Sequence, residues 1–453
     1  MTAQTINVNA VIDKAKFTPF HLSVVLWCLM IIIFDGYDLI IYGVALPLLM
    51  EEWALTSVQA GMLASAALTG MMFGAMLFGM LADKIGRKNV ILICVALFSG
   101  FTFLGSFASG PVEFGLLRFV AGLGIGGVMP NLVALTSEYA PKKMRATLVA
   151  VMFSGYAVGG ILSAVLGKLL IADHGWQIMF NLAGIPLLLL PIIWKFLPES
   201  LTYLVKKGHT EKAHTIFQKI TPEVVAKDTQ LVLNEEQTPE GAPVKALFQN
   251  GRAISTFLFW VSFFMCLLIV YALGSWLPKL MIAAGYSLGT SLSFLLALNV
   301  GAMLGAVGGG ILADKFHLKP VIITMLISGA LALVGLGFNS PQPVLYLLVA
   351  IAGAASIGSQ ILLYSYVAQF YPLSVRSTGI GWASAVGRIG AIVGPVLTGA
   401  LLAMKLPHQM NFLAIAIPCI LAAAAVILIK RKAFEDGKAP IAQPHVVSYS
   451  AEK

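Results

Sequence analysis

Four ionisable side chains stand inside otherwise apolar stretches of this 453-residue chain: Asp35, Asp38, Arg118 and Arg388. A charge at the centre of a hydrocarbon layer costs about 2.5–3.5 kcal/mol on insertion scales, so such residues face a protein interior, pair, and mark ion or substrate pathways. Two aspartates and two arginines sum to zero. A carboxylate cargo added to them leaves one uncompensated negative charge, and one proton on an aspartate restores the balance. The residue types therefore point to coupled movement of a proton and an organic anion. Asp35 and Asp38 lie one helical turn apart, and each reads either as a coupling group or as one side of a structural ion pair. Asp38 and Arg118 fall at similar depth if their helices run in opposite directions. Arg388 has no acidic partner in the apolar stretches of its own half. It reads as a bidentate receptor for a carboxylate or, alternatively, as a structural pair across the halves. Glu138, at the inner edge of its stretch, joins Asp35, Asp38 and Arg118 as a proton-coupling candidate.

Elements that hold such charges must cross a membrane. The chain is 58% hydrophobic and 11% charged, with a mean hydropathy of +0.89. That is too little charge to cover a soluble globule of this length, which excludes soluble enzymes and nucleic-acid binders. A spanning helix needs about 20 apolar residues. Twelve are read at roughly 22–47, 58–82, 89–108, 114–137, 146–170, 177–196, 253–278, 289–312, 320–338, 343–369, 379–403 and 410–429. The chain thus divides into a cytoplasmic N-terminus (1–21), a six-helix half (22–196), a polar linker (197–252) with some amphipathic helix, a second six-helix half (253–430) and a tail (431–453) expected to be disordered. The net charge of +9 is read as basic cytoplasmic loops, not as a nucleic-acid footprint. With the N-terminus inside, only Lys168, Lys279 and Lys405 fall in outer loops, and both termini are cytoplasmic by the positive-inside rule. Residues 1–20 lack the apolar core of a cleaved leader, so the first span is expected to be the targeting signal. Cys28, Cys94, Cys266 and Cys419 have no CxxC spacing, and no disulfide, metal or cofactor is expected.

The two halves repeat at an offset of 231 residues. Gly70–Lys84 (GMMFGAMLFGMLADK) and Gly301–Lys315 (GAMLGAVGGGILADK) are identical at nine of fifteen positions, and Pro141, Arg145 and Thr147 fall on Pro372, Arg376 and Thr378. Duplicated six-span halves are the build of transporters whose site lies at the midplane between them.

The loop Gly79-Met-Leu-Ala-Asp83-Lys84-Ile-Gly86-Arg87-Lys88 resembles the signature loop of the major facilitator superfamily, as do Arg118-x-x-x-Gly122-x-Gly124-x-Gly126 and Pro198-Glu199-Ser200. Asp35-Gly36-Tyr37-Asp38 in span one, Gly126-Gly127-Val128-Met129-Pro130-Asn131 and Ser137-Glu138-Tyr139-Ala140-Pro141-Lys142-Lys143 resemble the aromatic acid:proton symporters of that superfamily, and most nearly their benzoate transporters. The resemblance covers nearly all of the chain outside the linker and the ends. It implies an all-α fold of twelve helices in two pseudo-symmetric halves, which imports an aromatic carboxylate with protons across a bacterial inner membrane as a monomer. Hydroxybenzoates, hydroxyphenyl acids and muconate remain alternatives to benzoate. It also implies a conformational gate at Gly79, Asp83, Gly86, Arg87, Asp314 and Arg376. The second copy departs from the loop pattern, with His317 and Leu318 where Gly86 and Arg87 stand.

A benzoate-like ring needs apolar walls beside Arg388. Candidates are Tyr42, Tyr156, Tyr271, Tyr364 and Trp382, with Phe153, Trp276 and Tyr366 behind them. Asn131 and Asn299 offer amides. Each of these equally fits plain packing or a helix–helix hydrogen bond. The rival classes lack their chemistry. The seven histidines fall at span ends, in loops and in tails, away from any cluster that an embedded enzyme would need, and no repeated filter or ring of like charge suggests a channel.

Overall fold

The computed structural model describes residues 5–221, 230–232, 244–249, 251–338, 340–371 and 373–430. The tail expected at 431–453 lies outside the described residues. Among the described residues, twelve helical segments are long and apolar enough to cross a membrane. In the N-terminal half, β1 (Thr5–Asn7) and α1 (Val8–Lys14) precede α2 (Pro19–Glu52), α3 (Ser57–Ile85), α4 (Arg87–Gly105), α5 (Pro111–Tyr139) and α6 (Arg145–His174). The sixth span is α7 (Gln177–Leu182) continued by α8 (Ile185–Phe196). The linker carries α9 (Leu201–Lys206), α10 (Thr210–Ile220) and β2 (Gln230–Val232). The C-terminal half is α11 (Ala253–Ala283), α12 (Leu288–Phe316), α13 (Leu318–Gly335), α14 (Gln342–Phe370), α15 (Leu373–Ala403) and α16 (His408–Leu428).

Every expected span is found, and most run longer than the apolar stretch that marks them. The first has 34 residues, about 51 Å at 1.5 Å per residue, against a hydrocarbon core of about 30 Å. Packing against neighbouring helices and local caps extend the helices past the hydropathy boundary. At the start of α3, for example, Thr56 and Gln59 close a capping box: Gln59 N donates to Thr56 Oγ1 (3.3 Å) and Thr56 N to Gln59 Oε1 (3.0 Å).

The duplicated residues do duplicated work. The most extensive contacts pair α3 with α5 and α2 with α6, and their equivalents α12 with α14 and α11 with α15. Gly70 of α3 abuts the Phe119 carbonyl of α5, and Gly301 of α12 abuts the Ala350 carbonyl of α14. A Cβ at either position would collide with backbone, so the repeated glycine sets the helix spacing.

The halves meet through α3 with α15, α6 with α12, and α2 with α11. These contacts gather on the side away from the chain ends. There Gly43 lies against the Gly274 carbonyl and Gly61 against that of Pro395. Ser65 Oγ donates to the Ile392 carbonyl (2.5 Å) and Lys168 Nζ to Ser293 Oγ (3.0 Å). On the terminal side, Gly79, Gly310 and Gly381 look into open space, with nothing within 4 Å of where a Cβ would sit. The close backbone contacts and hydrogen bonds named above between the halves lie on the side away from the chain ends.

The linker is more structured than a solvated connection. The amphipathic α10 buries Ala213, His214, Phe217 and Ile220. In α1, Val8 and Ile12 join the same cluster, and β1 pairs in parallel with β2. Arg145 Nη2 binds Asp13 Oδ1 at 2.7 Å. The segment before α2 and the linker therefore both brace the N-terminal half.

The turn after α3 has a counterpart after α12 in which the conformation survives the loss of glycine. Gly86 has φ +93° and ψ 152°, and His317 has φ +68° and ψ 152°. This region is nearly glycine-only and costs other residues about 1–3 kcal/mol. At Gly86 a Cβ would also collide with the Glu199 carboxylate; position 430, equivalent to Glu199, is Lys430. Gly86→Ala should lower the melting temperature of purified protein measurably, whereas His317→Gly should leave it unchanged or raise it. Equal tolerance at both sites would contradict this account.

Candidate functional site

The glycines of the Arg118-x-x-x-Gly122-x-Gly124-x-Gly126 element seat α5 against its neighbours. Gly122 and Gly126 lie on the Ala67 and Met71 carbonyls of α3, and Gly124 on the backbone of α4. That close seating delivers Arg118 to α2, where its guanidinium forms an ion pair with Asp38. Arg118 is 2% exposed and Asp38 1%. Thr102 of α4 completes the group: its Oγ1 donates to Asp38 Oδ2 (2.5 Å) and accepts from Arg118 Nη1 (3.1 Å). Arg118 Nη2 also donates to the Asp38 carbonyl (3.2 Å). Both carboxylate oxygens are occupied. Removing one partner from such a pair costs about 3–5 kcal/mol, because the other charge is left buried.

Asp35, one turn away on α2, is as deeply buried but differently placed. Its Oδ1 has no hydrogen-bond partner among the described residues. It lies within electrostatic reach of Asp38 and Arg388. Arg388, on α15, makes no ion pair among the described residues, and its charge acts on Asp35, Tyr156 and Tyr271. The four membrane charges thus divide into a closed pair, Asp38–Arg118, and an open pair, Asp35 and Arg388, that face each other across the two halves.

Beside the open pair is a cavity shared by both halves. Its lining comes from α2 (Leu39, Ile40), α6 (Tyr156), α11 (Val270, Tyr271, Gly274, Ser275), α12 (Leu298, Asn299) and α14 (Ser356, Ile357). The apolar residues would suit a ring, and Tyr156, Tyr271 and Asn299 supply polar edges. The volume open to water is about 20 Å³, room for little more than one water.

Of the residues expected to line it, Tyr156, Tyr271 and Asn299 do so. Asn299 Nδ2 donates to its own helix at Leu295 O (2.9 Å), and its Oδ1 lies against Gly160. Tyr364 stands one layer towards the terminal side, its hydroxyl 3.1 Å from Ser384 Oγ. Three candidates stand elsewhere. Tyr42 donates to Ala60 O (2.5 Å) and packs on Phe114 in the core of the closed side. Asn131 Nδ2 is tied to Gly127 O of α5 at 2.8 Å. Trp382 is 42% exposed and stacks on Trp260 at the periphery. Thr102 and Gln360 were not singled out by the sequence. A Thr or Gln within an apolar helix carries no signal until its neighbours on other helices are known.

Glu138 is not beside the aspartates. It accepts from Arg87 Nη1 (2.7 Å), Ser200 Oγ (2.8 Å) and Thr202 N (2.6 Å) on the terminal side. Glu199 accepts from Lys88 N (3.0 Å) and Ser200 N (2.8 Å). Its carboxylate thereby caps the positive end of α4. Burial pushes the Glu199 carboxyl up from its ordinary range, and the backbone donors work against that push. Three separated motifs, the loop after α3, the end of α5 and Pro198-Glu199-Ser200, thus close into one network around Gly86 and Arg87. Asp83 and Asp314 are exposed at the equivalent ends of α3 and α12. Arg376 Nε is buried without a partner among the described residues.

Comparison with known proteins agrees with this architecture. The family model described as Major Facilitator Superfamily matches residues 28–336 and 300–449. A benzoate transport protein of Acinetobacter baylyi is 54% identical over 434 residues, covering 94% of this chain and 93% of the relative. A gentisate transporter of Corynebacterium glutamicum is 38% identical, covering 88% and 85%. Among solved structures, the partially occluded inward-open xylose transporter XylE of E. coli superposes with a TM-score of 0.71 at 19% identity, covering 89% of this chain and 98% of that one. With two pseudo-symmetric halves of six spanning helices, buried charges at their junction and these relatives along nearly its whole length, the chain belongs to the major facilitator superfamily of membrane transporters.

Proposed function

We propose that this protein is a proton-coupled symporter that imports an aromatic carboxylate, benzoate first, across the bacterial inner membrane as a monomer. The observation that carries the reading is the open pair. Among the described residues, the membrane arginine Arg388 has no carboxylate in contact and the membrane carboxyl Asp35 has no partner on Oδ1, and both adjoin a cavity between the halves. In the empty carrier Asp35 balances Arg388 at a distance. An arriving carboxylate takes the guanidinium as a bidentate partner, and Asp35 then takes a proton because two negative charges cannot share one cation in low dielectric. Asp38 stays ionised on Arg118 and holds α2 to α5. The 54% identity to a benzoate transport protein supports benzoate as the cargo.

Placing the basic loops in the cytoplasm by the positive-inside rule makes the terminal side cytoplasmic. The conformation is then inward-facing, sealed where α3 meets α15 and α6 meets α12. The network of Gly86, Arg87, Glu138 and Glu199 lies at the cytoplasmic ends of α3, α4 and α5. With Gly79, Asp83, Asp314 and Arg376 it belongs to the surfaces that come together when the carrier turns outward.

Uptake of labelled benzoate by cells expressing only this carrier should rise as external pH falls and collapse with a protonophore. Uptake unaffected by the proton gradient and driven by sodium would rule the symport reading out.

The aspartates should separate by role. Asp35→Asn should lose concentrative uptake while keeping counterflow of labelled substrate in proteoliposomes. Asp38→Asn should lose both and fall in stability by about 3–5 kcal/mol, since Arg118 is left buried and unpaired. Concentrative uptake at the normal rate by Asp35→Asn would remove that residue from coupling.

Arg388→Lys keeps the charge without the fork and should weaken benzoate binding to purified protein; Arg388→Ala should weaken it at least about thirtyfold, the low end for losing one partner of a hydrogen-bonded charge pair. Binding of neutral benzamide should change less. Wild-type benzoate affinity in monodisperse Arg388→Ala protein would show that the arginine serves structure alone.

A further inference from the structure

The buried polar groups of the C-terminal half include one that neither the ion pairs nor the cavity lining uses. Gln360 of α14 is 7% exposed, and neither its Oε1 nor its Nε2 has a partner among the described residues. A primary amide buried with both ends unsatisfied is costly, and its persistence calls for a partner that comes and goes.

The register of α14 against α15 says where that amide stands. The Tyr364 hydroxyl meets Ser384 Oγ at 3.1 Å. The two helices run in opposite directions, so one turn outward from this tie is Gln360 on α14 and Arg388 on α15. Residues four apart share a helix face; Gln360 therefore lies level with Arg388 on the facing sides of adjacent helices. One turn further outward on α14 come Ser356 and Ile357, which line the cavity. Tyr271 of the cavity wall is in turn within electrostatic reach of both Arg388 and Tyr364. Going outward, the site passes from a cationic and amide layer (Arg388, Gln360) to the cavity, where the phenols of Tyr156 and Tyr271 stand among apolar side chains (Leu39, Ile40, Val270, Leu298, Ile357).

We propose that Gln360 is a second donor to the substrate carboxylate beside Arg388, and that the pair fixes the cargo with its carboxylate towards the cytoplasm and its ring outward in the apolar layer. This rests on the reading of the cargo as an aromatic carboxylate. The guanidinium fork engages both carboxylate oxygens, and the amide N–H reaches a remaining lone pair of one of them. Charge-assisted hydrogen bonds of this kind exceed neutral ones. The Gln360 carbonyl is left for a proton donor, which a neutral benzamide could supply and benzoate could not. The amide thus favours the anion only while Arg388 holds it.

The test is direct binding of benzoate, 4-hydroxybenzoate and benzamide to purified wild type, Gln360→Leu, Gln360→Met and Gln360→Glu, with melting temperatures measured alongside. Gln360→Leu and Gln360→Met remove an unsatisfied amide at similar volume, so the apo protein should melt at the same temperature or higher. Their affinity for benzoate should nevertheless fall about tenfold or more, the loss expected for a hydrogen bond to a charged group. Gln360→Glu should abolish benzoate binding at neutral pH and regain part of it in acid, as the new carboxyl is neutralised. Wild-type benzoate affinity in both Gln360→Leu and Gln360→Met would overturn the assignment while leaving the cargo reading intact. Failure of wild type itself to bind either acid would overturn both.

Discussion

A charge sealed in low dielectric has to be answered by another, and the arrangement of the whole molecule follows from how four such charges are answered. Asp38 and Arg118 answer each other directly, with Thr102 and the Asp38 carbonyl adding hydrogen bonds, and only Arg118 Nε is left without a partner among the described residues. That closed group can serve as a fixed point because both oxygens of the carboxylate are taken. Asp35 and Arg388 answer each other only across a distance, from opposite halves. The difference between a saturated pair and an unsaturated one separates the part of the site that holds shape from the part that can exchange partners.

Duplication supplies the scaffold for this division. Equivalent helix pairs dominate both halves, and the repeated glycines Gly70 and Gly301 set the same spacing in each. The copies diverge where the chain leaves the membrane. The N-terminal half is cross-braced by Arg87–Glu138, by Glu199 at the start of α4 and by Arg145–Asp13. The C-terminal half has Leu318, Gln369 and Lys430 at the positions of Arg87, Glu138 and Glu199, so none of that ionic bracing can be rebuilt there. His317 keeps the turn of Gly86 at a backbone cost, with Lys430 at the sequence position of the Glu199 carboxylate that a Cβ at Gly86 would meet. The two halves are alike as packed helices and unlike in how their terminal-side ends are tied, the C-terminal half using Lys319 Nζ on the Ile427 and Ile429 carbonyls.

The interface between the halves has the asymmetry that transport needs. On the closed side, small residues bring backbones of opposite halves into contact, at Gly43 with Gly274 and at Gly61 with Pro395. Such contact leaves no room for a Cβ at Gly43 or Gly61, so small residues are required there. On the terminal side the corresponding glycines face space. The cavity lies between these two regions and takes its lining from both halves.

Fold class, span number, duplication and the identity of the four membrane charges were legible in the sequence, because lipid imposes a length and a polarity on every crossing segment and makes each exception conspicuous. Asp35, Asp38, Arg118 and Arg388 needed no structure to be noticed. Whom each one touches was decided only by tertiary structure. Glu138 lies a few residues beyond an apolar run and has the chemistry of a coupling group, yet its helix end delivers it to Arg87 and Ser200. Tyr42 and Trp382 have the rings a benzoate site would use, but the rotation of α2 and α15 turns one into the core and the other to the periphery. Thr102 and Gln360 carry no signal along the chain, since a hydroxyl or an amide in a helix acquires its role from what stands opposite. Hydropathy and charge are properties of a residue, readable one at a time; pairing is a property of the rotation and register of helices, which the packing of all twelve determines together.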